Sequence, residues 1–433
     1  MTSLSRRSLL SGVAGVSAAG FLSSCGGFSK DDDQGSVKGQ LNFTTWASDA
    51  EKSAFTKLVK AFEEETGTKV NLKIVPYAEM FTGIDNQLSS GTAPDIFRVD
   101  YPTMGRYSSQ GQLLDLSSHL DSSLTDDFIP ALYQAVKYDD KPFGVPHQTD
   151  TTCIVYQPAM LEAAGITSVP DSLESAWSWE EWNDVATKLK SSLPSDVYPF
   201  AYDWQQFGAY RWLTWLFEAG GRMLEDDLKT PAIVSAEGEK ALEYTLNFFE
   251  QEWVPKNTST KGATYPDTAF ISQKIAMAYV GDFLLPSMDT GIKSKFEWKA
   301  TYQPKDVRAS SDLGGNALVA SEQGKNHDLA AEFLRFMMDA PNVQAFCEEA
   351  VELPTLQSLV DADLDFATRP DLMKYFVEQA TTMTPEDVAQ VAQPAAGEMN
   401  TVLMNELEQC FISGQSVDDT LQKIADGVEK AFA

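Results

Sequence analysis

Carboxylates and amides stand beside aromatic rings at several separated points of this 433-residue chain: Trp46 with Ser48 and Asp49, Tyr77 with Glu79, Asp100 with Tyr101, and Asn316 after Gly315. A ligand with many hydroxyls and an apolar ring face needs both types, because hydroxyls take hydrogen-bond partners while C–H faces stack on rings. Two carboxyl groups about 5 to 10 Å apart would serve glycoside hydrolysis instead. No local pattern favours that second chemistry. The chain has no Gly-x-Ser-x-Gly elbow, His-Glu-x-x-His helix or Gly-x-x-x-x-Gly-Lys loop, and His119, His147 and His327 are too scattered to suggest a metal site. Neither metal nor cofactor is expected.

Nine aromatics lie between Tyr198 and Phe217. Trp212, Trp215 and Leu216 fall at helical spacing and read as a buried face. Trp204, beside Asp203 in a loop-like stretch, is then the stacking platform, with Tyr210 second. Trp177, Trp179 and Trp182 open a helix and read as packing.

The elements that must position these residues are legible in part. Leu41, Phe43 and Thr45 alternate as a strand does; Phe55, Leu58, Val59 and Phe62 then share a helix face that ends at Gly67. Val70, Leu72 and Ile74 alternate again. Strand, helix, strand is a βαβ unit and predicts a parallel sheet. Trp46, Ser48 and Asp49 follow its first strand, and Tyr77 and Glu79 its second. Asp100 and Tyr101 follow a third strand over 95–99. All three groups therefore sit at carboxyl ends, where α/β sheets open to ligand. Asp49 is equally suited to capping the helix from residue 50. Tyr101 precedes Pro102 and also fits a packed turn, so Asp100 is the firmer choice. Gly314 and Gly315 allow backbone to approach a ligand or simply lead into a strand. Beyond about residue 340 the pattern is mostly helical, ending in a stripe of Val417, Leu421, Ile424 and Val428.

Arg6 and Arg7, an apolar stretch over 8–22 and Leu22-Ser23-Ser24-Cys25 read as a signal peptide (1–24) with a lipobox, so Cys25 is expected to carry lipid. Ser5-Arg6-Arg7-Ser8-Leu9-Leu10 also resembles a twin-arginine signal, and export by either route remains open. Residues 25–39 form a polar tether. Lipid on Cys25 would hold the protein on the outer face of the cell membrane. Loss of the two arginines takes the formal charge from -30 to -32, which repels nucleic acid and keeps the body soluble. About 400 residues with 43% hydrophobic content exceeds one ordinary core, so two lobes are expected. Of Cys153, Cys347 and Cys410 at most one disulfide can form, with Cys347 and Cys410 the better pair.

The order of several short strings resembles the family 1 extracellular solute-binding proteins, the sugar-binding subunits of ATP-driven importers. They include Phe43-Thr44-Thr45-Trp46, Phe62 to Val70, Gly91-Thr92-Ala93-Pro94-Asp95-Ile96, Phe143-Gly144-Val145-Pro146, Trp179-Glu180-Glu181-Trp182, Gly281-Asp282, Gly314-Gly315-Asn316 and Leu353-Pro354-Thr355. The resemblance spans roughly residues 38 to 431. It implies an α/β, two-lobed periplasmic-binding-protein-like fold with a multi-strand hinge and a ligand cleft between the lobes. One lobe would comprise 40–148 plus 304–340, the other 149–303 plus 341–433, with crossings near 148–152, 300–304 and 339–342. It places an acidic ligand contact at Asp150 and puts Asp282 and Phe283 against the ligand. It further implies a non-enzymatic monomer that delivers a mono- or oligosaccharide to membrane permease subunits. A polyamine, metal complex or phosphodiester is the alternative ligand, yet Trp and Phe with Asp and few basic groups favour a neutral sugar.

Overall fold

The structure is a computed structural model and describes residues 39–256 and 258–433. The leader, Cys25 and the tether up to Lys38 lie outside the described residues. Strands β1 (Gln40–Thr45) and β2 (Lys69–Ile74) flank helix α1 (Asp49–Thr66) and pair in parallel, with Leu41 opposite Val70 and Thr45 opposite Ile74. The expected βαβ unit is present. Its helix buries Phe55, Leu58, Val59 and Phe62 and ends at Gly67 in the left-handed conformation.

Helix α2 (Tyr77–Ser90) leads to β3 (Ile96–Asp100), which pairs in parallel with β1 and runs directly into helix α3 (Tyr101–Ser109). A two-residue hairpin of β4 (Lys137–Tyr138) and β5 (Lys141–Pro142) precedes β6 (Val145–Gln148). With β11 (Asn316–Ala320) inserted antiparallel between β3 and β6, the first sheet has the order β2-β1-β3-β11-β6. The second sheet joins β10 (Lys299–Thr301), β7 (Thr152–Tyr156), β9 (Ile275–Gly281) and β8 (Tyr198–Ala201) in that order. Helices cover both sheets, so β3, β6, β7, β9 and β11 are buried along almost their whole length, as α/β architecture demands, while the edge strand β2 buries only Val70.

Three stretches link the sheets. Residues 149–151 carry the chain from β6 to β7, and residues 302–315 carry it back from β10 to β11. The third lies further along than residues 339–342. Helix Ala340–Ala350 stays with the first sheet, where Phe346 and Cys347 share a core with Phe55 and Phe62. Val351 and Leu353 then join the core of the second sheet, and a bridge ties Leu353 to Thr149. Leu356 and Leu359 return to the first core before Phe366 and helix Pro370–Ala380 settle on the second. Residues 341–360 thus pack mainly against the first sheet, because their apolar face matches that of α1.

Cys347 and Cys410 do not pair. Cys153, Cys347 and Cys410 are all free and buried, with Cys347 and Cys410 in different cores. Among the described residues no helix is long and apolar enough to cross a membrane.

Candidate functional site

The first sheet presents one edge to a cleft. Because β1, β2, β3 and β6 run the same way and β11 runs against them, that edge collects Trp46, Tyr77, Asp100, Gln148 and Asn316. Gln206, Tyr210, Arg211, Tyr265 and Phe283 face it from the second lobe, and Asp150 and Glu352 form the floor; the cavity holds about 310 Å³. That volume lies at the small end of ordinary ligand sites.

The edge is wired by hydrogen bonds. Gln148 Nε2 donates to Asn316 Oδ1 at 2.7 Å, Asn316 Nδ2 donates to Asp100 Oδ1 at 2.7 Å, and the Tyr77 hydroxyl donates to Asp100 Oδ2 at 2.8 Å. Burial raises the Asp100 carboxyl to about 6, and the bonds from Tyr77 and Asn316 with nearby Arg98 hold it from rising further. Gln148 Oε1 has no hydrogen-bond partner among the described residues. A buried acceptor of that kind suits a ligand hydroxyl.

Aromatic rings stand next to this chain. Trp46 meets Tyr77 edge-on at 5.2 Å between centroids and Phe81 at 5.8 Å, while across the cleft Tyr265 meets Phe283 at 5.6 Å. The Arg98 guanidinium lies 4.7 Å from the Trp46 ring centre and pairs with Glu51 at 2.6 Å. Glu51 also accepts from the Ser48 backbone, closing the capping box that starts α1. One carboxylate therefore fixes both the helix start and the cation behind Trp46.

The floor is carboxylate-rich. Arg211 lies 3.1 Å from Asp312, 3.8 Å from Asp203 and 3.7 Å from Asp150. Asp312 accepts from the Thr152 backbone at 3.1 Å and Asp203 from the Thr152 hydroxyl at 2.7 Å, which locks Arg211 against the first interlobe crossing. Burial pushes the carboxyls of Asp150, Asp203, Asp282 and Glu352 above the usual range.

Of the residues expected from sequence, the cleft brings together Trp46, Ser48, Tyr77, Asp100, Asp150, Tyr210, Phe283, Gly315 and Asn316. Gly315 has φ +98°, and a Cβ there would lie 2.4 Å from Thr149 Cα, so glycine is required by its own backbone conformation and by the adjoining interlobe crossing. Five expected residues lie elsewhere. Trp204 is 2% exposed and stacks on Tyr202 at 4.0 Å with Phe411 beyond, so it is a core residue despite its loop backbone. Asp282 is fully buried and accepts from the Thr151 backbone at 3.0 Å, a hinge role beneath the floor. Tyr101 is buried and donates to the Gln148 carbonyl at 3.0 Å. Asp49 and Glu79 are exposed first-turn residues of α1 and α2, where their charge suits the helix ends. Ser48, not Asp49, is the N-cap.

Sequence reasoning missed Arg98, Glu51, Gln148, Arg211, Tyr265 and Glu352. Arg98 carried a signal: it sits two residues before Asp100 in a strand and therefore shares its face. Glu51 also did, as the fourth residue of Ser-x-x-Glu. Tyr265 lies in irregular backbone, which leaves no periodic trace.

Two lobes around such a cleft define a solute-binding protein, and residues 46–344 match the bacterial extracellular solute-binding protein family, to which the chain belongs. It is 23% identical over 395 residues to the galactooligosaccharide-binding protein of Bacillus subtilis, covering 88% of this chain and 86% of that one. It is also 23% identical over 347 residues to the diacetylchitobiose-binding protein of Streptomyces coelicolor, covering 76% of each chain. A solved structure of an ABC transporter solute-binding protein from Thermotoga lettingae, bound with alpha-D-tagatose, superposes with a TM-score of 0.78 at 20% identity over 91% of this chain and 100% of that one.

Proposed function

We propose that the protein captures a mono- or oligosaccharide reversibly in this cleft and delivers it to the permease of an ATP-driven importer, without chemical change to the ligand. One observation carries the reading: the Gln148–Asn316–Asp100–Tyr77 hydrogen-bond chain runs beside the Trp46 ring. Polar partners in a row next to an aromatic face are what a sugar ring presents in complement. The names of the two relatives agree with it. Ligand contact is assigned to Trp46, Tyr77, Asp100, Asp150, Tyr210, Phe283 and Asn316. Closure of the lobes would trap the ligand and create the form the permease recognises.

Lipid on Cys25 would hold the protein, itself a monomer, on the outer face of the cell membrane, raising its effective concentration at the permease. Cys25→Ala should release it from membranes; continued membrane association of that variant would contradict the anchor.

Thermal melting with a panel of neutral saccharides, polyamines and phosphodiesters tests the ligand class, since a ligand of the native state raises the midpoint. A saccharide should do so. Stabilisation by a polyamine or phosphodiester alone would overturn the reading.

A further inference from the structure

The floor of the cleft carries more negative than positive groups. Arg98 is paired with Glu51, and Arg211 is shared among Asp312, Asp203 and Asp150. Asp150 Oδ1 has only the Arg211 guanidinium standing off at 3.7 Å, and Glu352 Oε2 has no hydrogen-bond partner among the described residues, although the two residues are only 7% and 1% exposed. Both line the cavity. Gly314 gives the first of them its room, because a Cβ there would lie 2.1 Å from Asp150 Oδ1.

A buried carboxylate short of partners is costly, so burial pushes both carboxyls up, Asp150 to about 7; a cation brought beside them favours the charged form and offsets that cost more fully than a hydroxyl does. The cation has to come with the ligand. No group of three or more His, Cys, Asp or Glu among the described residues has the geometry to hold a metal ion. An ammonium brings three N–H donors and one charge, which suits two carboxyl groups that each have one oxygen short of a hydrogen bond.

We propose that Asp150 and Glu352 form a cation subsite in the cleft floor, which selects a saccharide bearing a protonated amine over one that presents hydroxyls alone. This rests on the carbohydrate reading above and narrows it. Arg211 does not repel the amine strongly, because Asp312 and Asp203 already face it. The Gln148–Asn316–Asp100 chain then serves the hydroxyls of the same ligand.

Titration calorimetry at pH 7 decides the matter. The probes are glucosamine, its (1→4)-linked dimer and trimer, and 3-amino- and 6-amino-glucose, each beside its hydroxyl counterpart. At least one amine should bind about tenfold or more tightly than its counterpart, a difference of about 1.4 kcal/mol. In Asp150→Asn and Glu352→Gln that ratio should fall toward one while the melting temperature is kept, since both replacements are isosteric. Neutral saccharides binding at least as tightly as every amine would overturn the subsite and leave the carbohydrate reading standing. Should no saccharide of either kind bind, the carbohydrate reading itself falls, and the subsite with it.

Discussion

The Tyr77 hydroxyl donates a 2.8 Å hydrogen bond to Asp100 Oδ2, joining the first turn of α2 to the end of β3 across the mouth of the cleft. Tyr77→Phe removes one donor from a buried carboxylate and should weaken ligand binding by roughly tenfold, in line with about 1.5 kcal/mol for a hydrogen bond to a charged group. Calorimetry of the variant checks this. Unchanged affinity would remove Tyr77 and Asp100 from the site.

The two tryptophans once alike in sequence should now behave differently. Trp204→Ala opens the core among Tyr202, Phe248 and Phe411 and should cost about 3 to 5 kcal/mol of stability. Trp46→Ala strips a half-buried ring from the cleft wall and should reduce affinity with little change in melting temperature. Denaturant unfolding and calorimetry on both variants distinguish them; a stable Trp204→Ala with lost binding would restore Trp204 to the site.

Glu51→Ala breaks two connections at once, the capping box of α1 and the 2.6 Å pair with Arg98. It leaves Arg98 buried without its carboxylate. Loss of one partner of a buried pair costs about 3 to 5 kcal/mol, so the unfolding midpoint should drop sharply. A loss under about 1 kcal/mol would mean that the pair contributes no more than a surface ion pair.

Asp100 also makes stability depend on pH. Its carboxyl is raised in the folded state from 3.8 to about 6, so the folded protein binds more protons than the unfolded chain between those values. Stability from this group is present in acid and declines as pH rises through that window. His147 acts oppositely: burial, with Arg98 nearby, lowers it to about 3, so acid below its usual 6.5 favours the unfolded chain. Comparing wild type with Asp100→Asn isolates the carboxylate. Wild type should be favoured over the variant more at pH 4.5 than at pH 7.5, and a pH-independent difference in melting temperature would contradict the assignment.

The sequence made the strand ends legible because period-two and period-3.6 patterns show where backbone turns over. Trp46, Tyr77 and Asp100 follow directly from β1, β2 and β3 reaching the same edge. The second lobe was harder. Some of its contacts come from irregular segments around Gln206 and Tyr265, whose direction is set by packing against distant helices, whereas Phe283 directly follows β9. Trp204 shows the cost of that: a loop backbone suggested exposure, but Phe411, about 200 residues away, covers its ring. The third passage between the lobes was misplaced for a related reason. Helix Ala340–Ala350 belongs to the first sheet through Phe346 against Phe55, at 4.7 Å, a contact that no local pattern announces.

Titration calorimetry of the protein against mono- and oligosaccharides, with product analysis of the same samples, bears most directly on the central claim. Saturable one-to-one binding of an intact saccharide, weakened in Trp46→Ala, is the predicted result. Absence of binding by any saccharide, or cleavage of one that binds, would contradict it.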